Sequence, residues 1–375
     1  MRTHLTPRRE LLLLLSLAGV QFTHIVDFMI MMPLGPQLTQ LFDISFAEFG
    51  LLVSAYTVSA GVSGLFATTF VDRFDRKHLL LTLYALFALT TVACGVAPTY
   101  GWLMAARIAS GFFGGVLATM TQTIIGDVIP FQRRGRATGI VMTSFSMATV
   151  AGVPAGLMFA NWWGWHYAFF AIGLMCIAVG VLAVYSIPSL NAHVAHGKDK
   201  HILHAMGQVL REPNQRMALV LSAVMMFAAF NIIPYITLYL QTNHIMGLDE
   251  IPWVYFCGGV VTLFSGRWVG GVADRLGKRP TFQRAVLFSI VPMFAITLIE
   301  PVPLPVVLLI TTTLFFAMNA RMIPGMALLT SAANPQFRGT FLSLNGAVQS
   351  FAMGAAAWIG GMLLQREPSG HVTHY

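Results

Sequence analysis

Asp72-Arg73-Phe74-Asp75-Arg76-Lys77 and Asp274-Arg275-Leu276-Gly277-Lys278-Arg279 are two short charge clusters in a 375-residue chain of which only 10% is charged. Each follows the second long apolar segment of its half of the chain. A repeated cluster at a repeated place reads as a duplication, with each half a bundle of membrane-spanning helices.

The surrounding sequence agrees with that reading. At 56% hydrophobic residues and a mean hydropathy of +0.72, the chain lies far from soluble globular proteins, which carry about 25% charged residues. Apolar stretches long enough to cross a bilayer recur between short polar breaks. They predict eleven spans, near residues 11–33, 46–71, 78–97, 101–127, 137–160, 166–188, 215–241, 252–273, 282–300, 304–330 and 341–364. The fold class is therefore an all-α membrane protein.

Charge orients the bundle. Of the 22 Lys and Arg, Arg107, Arg267 and Arg321 lie inside predicted spans, and Arg366 alone falls on one side. All the others fall on the opposite side, among them Arg8, Arg9, Arg133, Arg134, Arg136 and both clusters. Cationic loops stay cytoplasmic, so the N-terminus is expected inside. The net charge of +8 is a topology signal rather than a nucleic-acid surface, and no nucleic-acid partner is expected. Leu11–Leu15 does not read as a cleaved leader, because the apolar stretch continues to Pro33 with no small-residue cleavage site. Cys94, Cys176 and Cys257 sit in predicted spans without metal-ligand spacing. The chain contains no phosphate-binding loop, metalloprotease motif or nucleophile elbow. No cofactor, metal or enzymatic activity is expected.

Residues 1–188 form a first six-span half. Residues 189–214 form a polar linker, in which Ile202, Leu203, Met206, Val209 and Leu210 follow helical spacing opposite Lys198, Lys200 and Arg211. That spacing fits an amphipathic helix at the membrane surface, and an ordinary solvated linker fits as well. Residues 215–375 form a second half with five spans. The sixth span begins at His166, and the same offset from the second cluster places a twelfth near residue 368. The chain ends at Tyr375, too soon to cross a core about 30 Å thick, so truncation before a twelfth helix is expected.

Gly270-Gly271-Val272-Ala273-Asp274-Arg275-Leu276-Gly277-Lys278-Arg279 resembles the cytoplasmic signature loop of the major facilitator superfamily. The first copy departs from it at Thr68 and Asp75, where the pattern has glycine. Arg107-Ile108-Ala109-Ser110-Gly111 resembles the family's fourth-helix motif, whose arginine is associated with proton coupling. Gly152-Val153-Pro154-Ala155-Gly156, followed by Gly164-Trp165, resembles the fifth-helix motif of proton-driven exporters, with Val153 in place of a glycine. The resemblance covers essentially the whole chain and is nearest to the arabinose-efflux-like and drug:proton antiporter branch. It implies two pseudo-symmetric six-helix bundles, here with the twelfth helix apparently missing, in the inner membrane of a bacterium. It also implies a small-molecule substrate and a monomer.

The residues supply separate reasons for a site. Asp27 is the only carboxylate deep in a predicted span, where an ionised group costs about 2.5–3.5 kcal/mol on insertion scales. Thr23, His24 and Asp27 share a helical face. Asp27 lies six residues before Pro33 and Arg107 six residues after Gly101, so both sit about 9 Å inside the same boundary and are placed to meet. Burial favours the neutral carboxyl and a nearby guanidinium the ionised one, so movement or substrate binding would switch its proton. A permanent structural pair is the competing reading, and His24 fits a relay or a structural histidine equally.

Asp72, Arg76, Asp274 and Arg275 are candidates for a cytoplasmic latch, with topology anchoring as the alternative. Gly152, Pro154 and Gly156 allow close approach and a bend. Arg321 is a deep cation with no predicted partner, which suits an anionic substrate group or a shared counter-ion. Asn231 and Tyr235 share a face of the seventh span, and Asn345 lies on the eleventh. The resemblance places the first, fourth, seventh and tenth helices around a central cavity, and Gln122 with them. Each is equally suited to helix–helix hydrogen bonding.

The expected function is proton-coupled export of a small organic molecule by alternating access, with the lipid bilayer and protons as partners. The rivals are a symporter or facilitator importing a small anion, and a non-transporting sensor or inactive paralogue.

Overall fold

The computed structural model describes residues 6–188, 202–334, 337–367, 372–373 and 375. Helix α1 (Pro7–Ile30) starts behind Thr6, whose hydroxyl accepts from the Arg9 N–H. After a turn, α2 (Gly35–Leu41) is a short cap. Helix α3 (Phe46–Phe70) begins with a capping box, in which Ser45 Oγ accepts from Glu48 N and Glu48 Oε2 accepts from Ser45 N at 2.8 Å. Asp75 caps α4 (Arg76–Gly95) and Thr99 caps α5 (Tyr100–Val128). These polar caps satisfy first-turn N–H groups that no apolar residue serves.

The fifth span is two helices in line, α6 (Arg134–Met147) and α7 (Val153–Trp163), joined by a π-helical turn over Ala148–Gly152. Pro154 has no N–H to donate and its ring crowds the preceding turn. The ladder widens just before it, and the Val153 N–H reaches back to the Ala148 carbonyl. Helix α8 (His166–Ser186) completes the first half.

In the linker, α9 (Ile202–Arg211) buries Val209 against Leu219, Leu329, Phe341 and Leu344 of the second half. The seventh span is also broken. Helix α10 (Pro213–Phe230) gives way to a 3₁₀ turn at Ile233–Tyr235 and then α11 (Ile236–Thr242), because Pro234 disfavours an α conformation before it. Helices α12 (Ile251–Leu276), α13 (Lys278–Thr297), α14 (Leu304–Ala332) and α15 (Arg338–Leu363) follow. A two-residue strand β1 (Gln365–Arg366) pairs antiparallel with β2 (Val372–Thr373).

Ten helical segments among the described residues are long and apolar enough to cross a membrane: α1, α3, α4, α5, α6–α7, α8, α10–α11, α12, α13 and α14. The eleven expected spans thus become ten by length and apolarity alone. Helix α15 has 26 residues, but its Gly, Ser, Asn and Gln make it less apolar than the ten. It packs beside α3 and α10, with Leu342, Phe351 and Trp358 exposed on its other face. Elsewhere the outer surface carries bare Leu174, Phe264, Trp268 and Phe294, an apolar exterior that suits lipid.

The duplication is visible in how the halves cross. The second span (α3) packs on the eleventh (α15), and the eighth (α12) packs on the fifth (α6–α7). Each crossing is the image of the other under exchange of halves. The contacts that interlock the halves run from the end opposite the charge clusters to mid-helix, where Gly61 lies against Ser350 and Gly259 against Val150. The first group is at the far end. There Phe28 stacks on Phe230, Phe49 meets Tyr235 edge-on, and Asn161 Nδ2 donates to the Leu248 carbonyl at 3.0 Å. Gly361 lets α15 lie against the Phe46 carbonyl and the Tyr235 hydroxyl. Toward the cluster end, Leu65 of α3 still packs against the small apolar group around Phe341 and Leu344.

Candidate functional site

Asp27 and Arg107 meet. Arg107 Nη1 donates to Asp27 Oδ2 at 3.0 Å and to the Asp27 carbonyl at 3.1 Å, and both side chains are 0% exposed. Helix α1 delivers the carboxylate one turn before its end, and α5 delivers the arginine two turns after its start. The Arg107 guanidinium carbon stands 4.2 Å from the centre of the Tyr56 ring, close enough for a cation–π contact. Thr91 stands beside the carboxyl.

The pair is poorly provided for. Asp27 Oδ1, Arg107 Nε and Arg107 Nη2 have no hydrogen-bond partner. Buried charges ordinarily need their remaining donors and acceptors satisfied as well as a counter-charge.

His24 lies near Tyr56, with ring centroids 6.0 Å apart, and neither of its ring nitrogens has a partner among the described residues. Thr23, on the Asp27 face, instead bonds the Tyr84 hydroxyl at 2.9 Å. Tyr56 is therefore a neighbour of both Arg107 and His24, and it also stacks on Phe28. Sequence reasoning missed Tyr56. The signal that points to it is the glycine pair on α5: a Cβ at Gly111 would strike the Tyr56 backbone, and one at Gly114 would strike the His24 ring and the Tyr56 hydroxyl. Glycines one and two turns past a buried arginine mark the close approach of α3 and α1.

The remaining candidates are dispersed. Arg321 on α14 is 7% exposed and has no hydrogen bond or ion pair among the described residues. Its neighbour Asn319 is committed to Ser265 Oγ and the Thr262 carbonyl of α12. Asn345 is buried with its Oδ1 unpartnered. Gln122 is exposed. Asn231 donates to the Phe227 carbonyl of its own helix. Tyr235 is fully buried, with its hydroxyl donating to the Ala357 carbonyl, which makes it part of the interlock at the far end. Gly152 and Gly156 lie against Val26 and Ile30, so the fifth span receives α1 in notches that only glycine leaves open. Pro154 sits immediately after the π turn.

The two clusters behave differently. Arg76 is buried and pairs with Asp127 at the end of α5, Asp75 caps α4, and Lys77 Nζ donates to the Val184 carbonyl of α8 at 2.7 Å. The first cluster thus ties three helices of its own half. The Asp72 side chain lies outside the described residues. Asp274 and Arg275 are exposed and have no ion pair among the described residues. Arg76→Ala is therefore expected to cost about 1–3 kcal/mol, since Arg76 is buried but Asp127 would be left solvated, and Arg275→Ala less than about 0.5 kcal/mol. Thermal unfolding in detergent checks this. Equal losses at the two positions would point to equivalent roles.

The sequence profile of the Major Facilitator Superfamily matches residues 17–357. The chain is 24% identical over 339 residues to the uncharacterized MFS-type transporter YbcL of Bacillus subtilis (strain 168), spanning 90% of this chain and 85% of that one. It is likewise 24% identical over 346 residues to a chloramphenicol resistance protein of Streptomyces lividans, spanning 90% and 84%. Among solved structures it is similar to a bacterial homolog of the human lysosomal transporter Spinster in an inward-facing, unoccupied conformation. The TM-score is 0.80 at 19% identity, covering 96% of this chain and 83% of that one.

Proposed function

We propose that this chain, which belongs to the Major Facilitator Superfamily, exports a small organic molecule in exchange for protons. That it is a multi-pass membrane transporter follows from the family; direction and coupling are the proposal. The observation that carries them is the buried, under-satisfied Asp27–Arg107 pair beside Tyr56. Likeness to a drug-resistance protein supports the outward direction.

In the proposed cycle the cluster-bearing ends are cytoplasmic, as the positive-inside rule favours. A proton arriving from outside neutralises Asp27, which weakens its hold on Arg107 and favours substrate release. The halves then rock about the α3–α15 and α12–α6/α7 crossings. Asp27 loses its proton toward the cytoplasm and recaptures Arg107 as substrate binds. Each step changes the energy difference between the two states only through the charge at Asp27, which is the differential interaction a coupled cycle needs.

Import of an anion by proton symport is the second reading, favoured by the buried and unpaired Arg321. One experiment separates the two. Protein reconstituted in vesicles is given a pH step and a panel of candidate solutes that includes chloramphenicol and small carboxylates. Solute accumulation against the direction of proton flow supports exchange. Movement of solute and proton together, confined to the carboxylates, supports symport. Solute movement that ignores the pH step rejects proton coupling altogether.

A further inference from the structure

At the basic end of the first half, a groove of about 190 Å³ opens between α1 and the start of α6. It is lined by Pro7, Glu10, Leu11, Leu14, Arg133, Arg136, Ala137 and Ile140. Its chemistry divides by depth. Leu14 and Ala137 form a buried floor, with Leu11 and Ile140 beside them on the two helices as they descend into the apolar belt. Glu10, Arg133 and Arg136 lie at the rim, where the helices begin.

The charges at the rim do not cancel. Arg133 Nη1 bonds both Glu10 oxygens, at 3.0 and 3.1 Å, so that acid is already neutralised. Arg134 turns away, donating to the Ile129 and Gly126 carbonyls at the end of α5. Arg136 is exposed and makes no ion pair among the described residues. The N-terminus of α6, a 14-residue helix, has no side-chain cap, so its first N–H groups add partial positive charge at the same place. Among the described residues nothing stands within 4 Å of where a Cβ on Gly135 or Gly139 would be, which leaves the first two turns of α6 open to approach.

A cation and an uncapped helix start above an apolar trough, at the boundary of a bilayer, match one kind of molecule: an amphiphile with a phosphate at its head. We infer that this groove holds an anionic phospholipid, its phosphate against Arg136 and the first turn of α6, and its chains over Leu11, Leu14 and Ile140. Basic pockets between membrane helices favour such headgroups over zwitterionic ones. The site rests on the chain's place in a bilayer and not on which solute it carries. A lipid there would bridge the first span to the fifth, the helix that crosses to the other half, so its occupancy would bear on the rocking motion.

The test uses the full chain purified in neutral detergent, with bound lipid read by native mass spectrometry against phosphatidylglycerol and phosphatidylcholine. Phosphatidylglycerol is expected to be retained in preference. Arg136→Ala should reduce that preference by about fivefold, the worth of one cationic side chain at an anionic surface. Ile140→Trp, which fills the trough without changing charge, should weaken retention of both lipids. Arg8→Ala with Arg9→Ala, which removes more charge from the same end but outside the groove, should leave the preference intact. Unchanged phosphatidylcholine retention by Arg136→Ala certifies that variant's fold. The assignment is overturned if the two lipids are retained equally, or if the Arg8 and Arg9 pair matters as much as Arg136. It is equally overturned if Ile140→Trp has no effect, or if excess inorganic phosphate displaces the lipid and so suffices by itself.

Discussion

Asp27→Asn is expected to bring substrate-driven proton movement to background while the protein still folds. The amide is the same size as the carboxylate, and its oxygen can still accept from Arg107 Nη1, so the contact now measured at 3.0 Å can persist. What is lost is the titratable proton. Arg107 then has no ionised partner in a site where both side chains are fully buried. Arg107→Ala is the harsher change, because it strands a carboxylate away from water, a loss of about 3–5 kcal/mol. Its expected signature is poor yield and early unfolding, relieved when Asp27→Asn is added. That non-additivity is the mark of a directly coupled pair. The competing view, a permanent structural brace, makes the opposite forecast for the single Asn variant: full coupled transport in whatever protein survives. Proton flux and unfolding temperature measured on the same preparation decide between them.

Gly361→Leu is expected to hold the far end open. A Cβ at Gly361 would come within 2.7 Å of the Tyr235 hydroxyl and 3.0 Å of the Phe46 carbonyl carbon. Phe46 is backbone at the start of a capped helix, so it has little room to yield. Overpacking of this kind costs about 1–3 kcal/mol, and here the penalty falls only on the conformation in which α15 and α3 are pressed together. The ratio of closed to open molecules should fall by roughly 5- to 150-fold. A cysteine placed at Asn161, whose side chain bonds Leu248 across the halves, reports this as faster reaction with a water-soluble thiol reagent. The three native cysteines must first be replaced, since Cys257 is only half-buried. Unchanged labelling in a folded variant would mean that Gly361 is not a closing contact.

Much of the architecture was legible because lipid imposes simple rules. Long apolar runs, cationic loops and a repeated cluster are one-dimensional signals, and they located the spans to within a few residues. The meeting of Asp27 and Arg107 was legible for the same reason, since equal depth in two neighbouring helices leaves few other arrangements. Other features depend on three-dimensional approach. Tyr56 is an ordinary aromatic in an apolar stretch, and only the glycines it touches on α5 reveal its place. Tyr235 and Asn231 looked like cavity polar groups, yet Tyr235 closes against Ala357 and Phe49, because Pro234 breaks the helix and redirects the chain. The two clusters share a spacing but not an environment: Asp127 and the α8 carbonyls engage the first, and no ion pair among the described residues engages the second.

Arg76–Asp127, Arg107–Asp27 and Arg133–Glu10, and the His78–Asp75 contact that is ionic only when His78 is protonated, lie inside the first half. The seam between the halves is fastened by ring contacts, neutral hydrogen bonds and helices seated against glycine. Mobile ions weaken attraction between exposed charges over a Debye length of about 8 Å at physiological strength, and none of these ion pairs among the described residues crosses the seam. Raising the salt concentration is therefore expected to leave the closed contact between the halves largely unchanged, in contrast to a carrier latched by exposed charges.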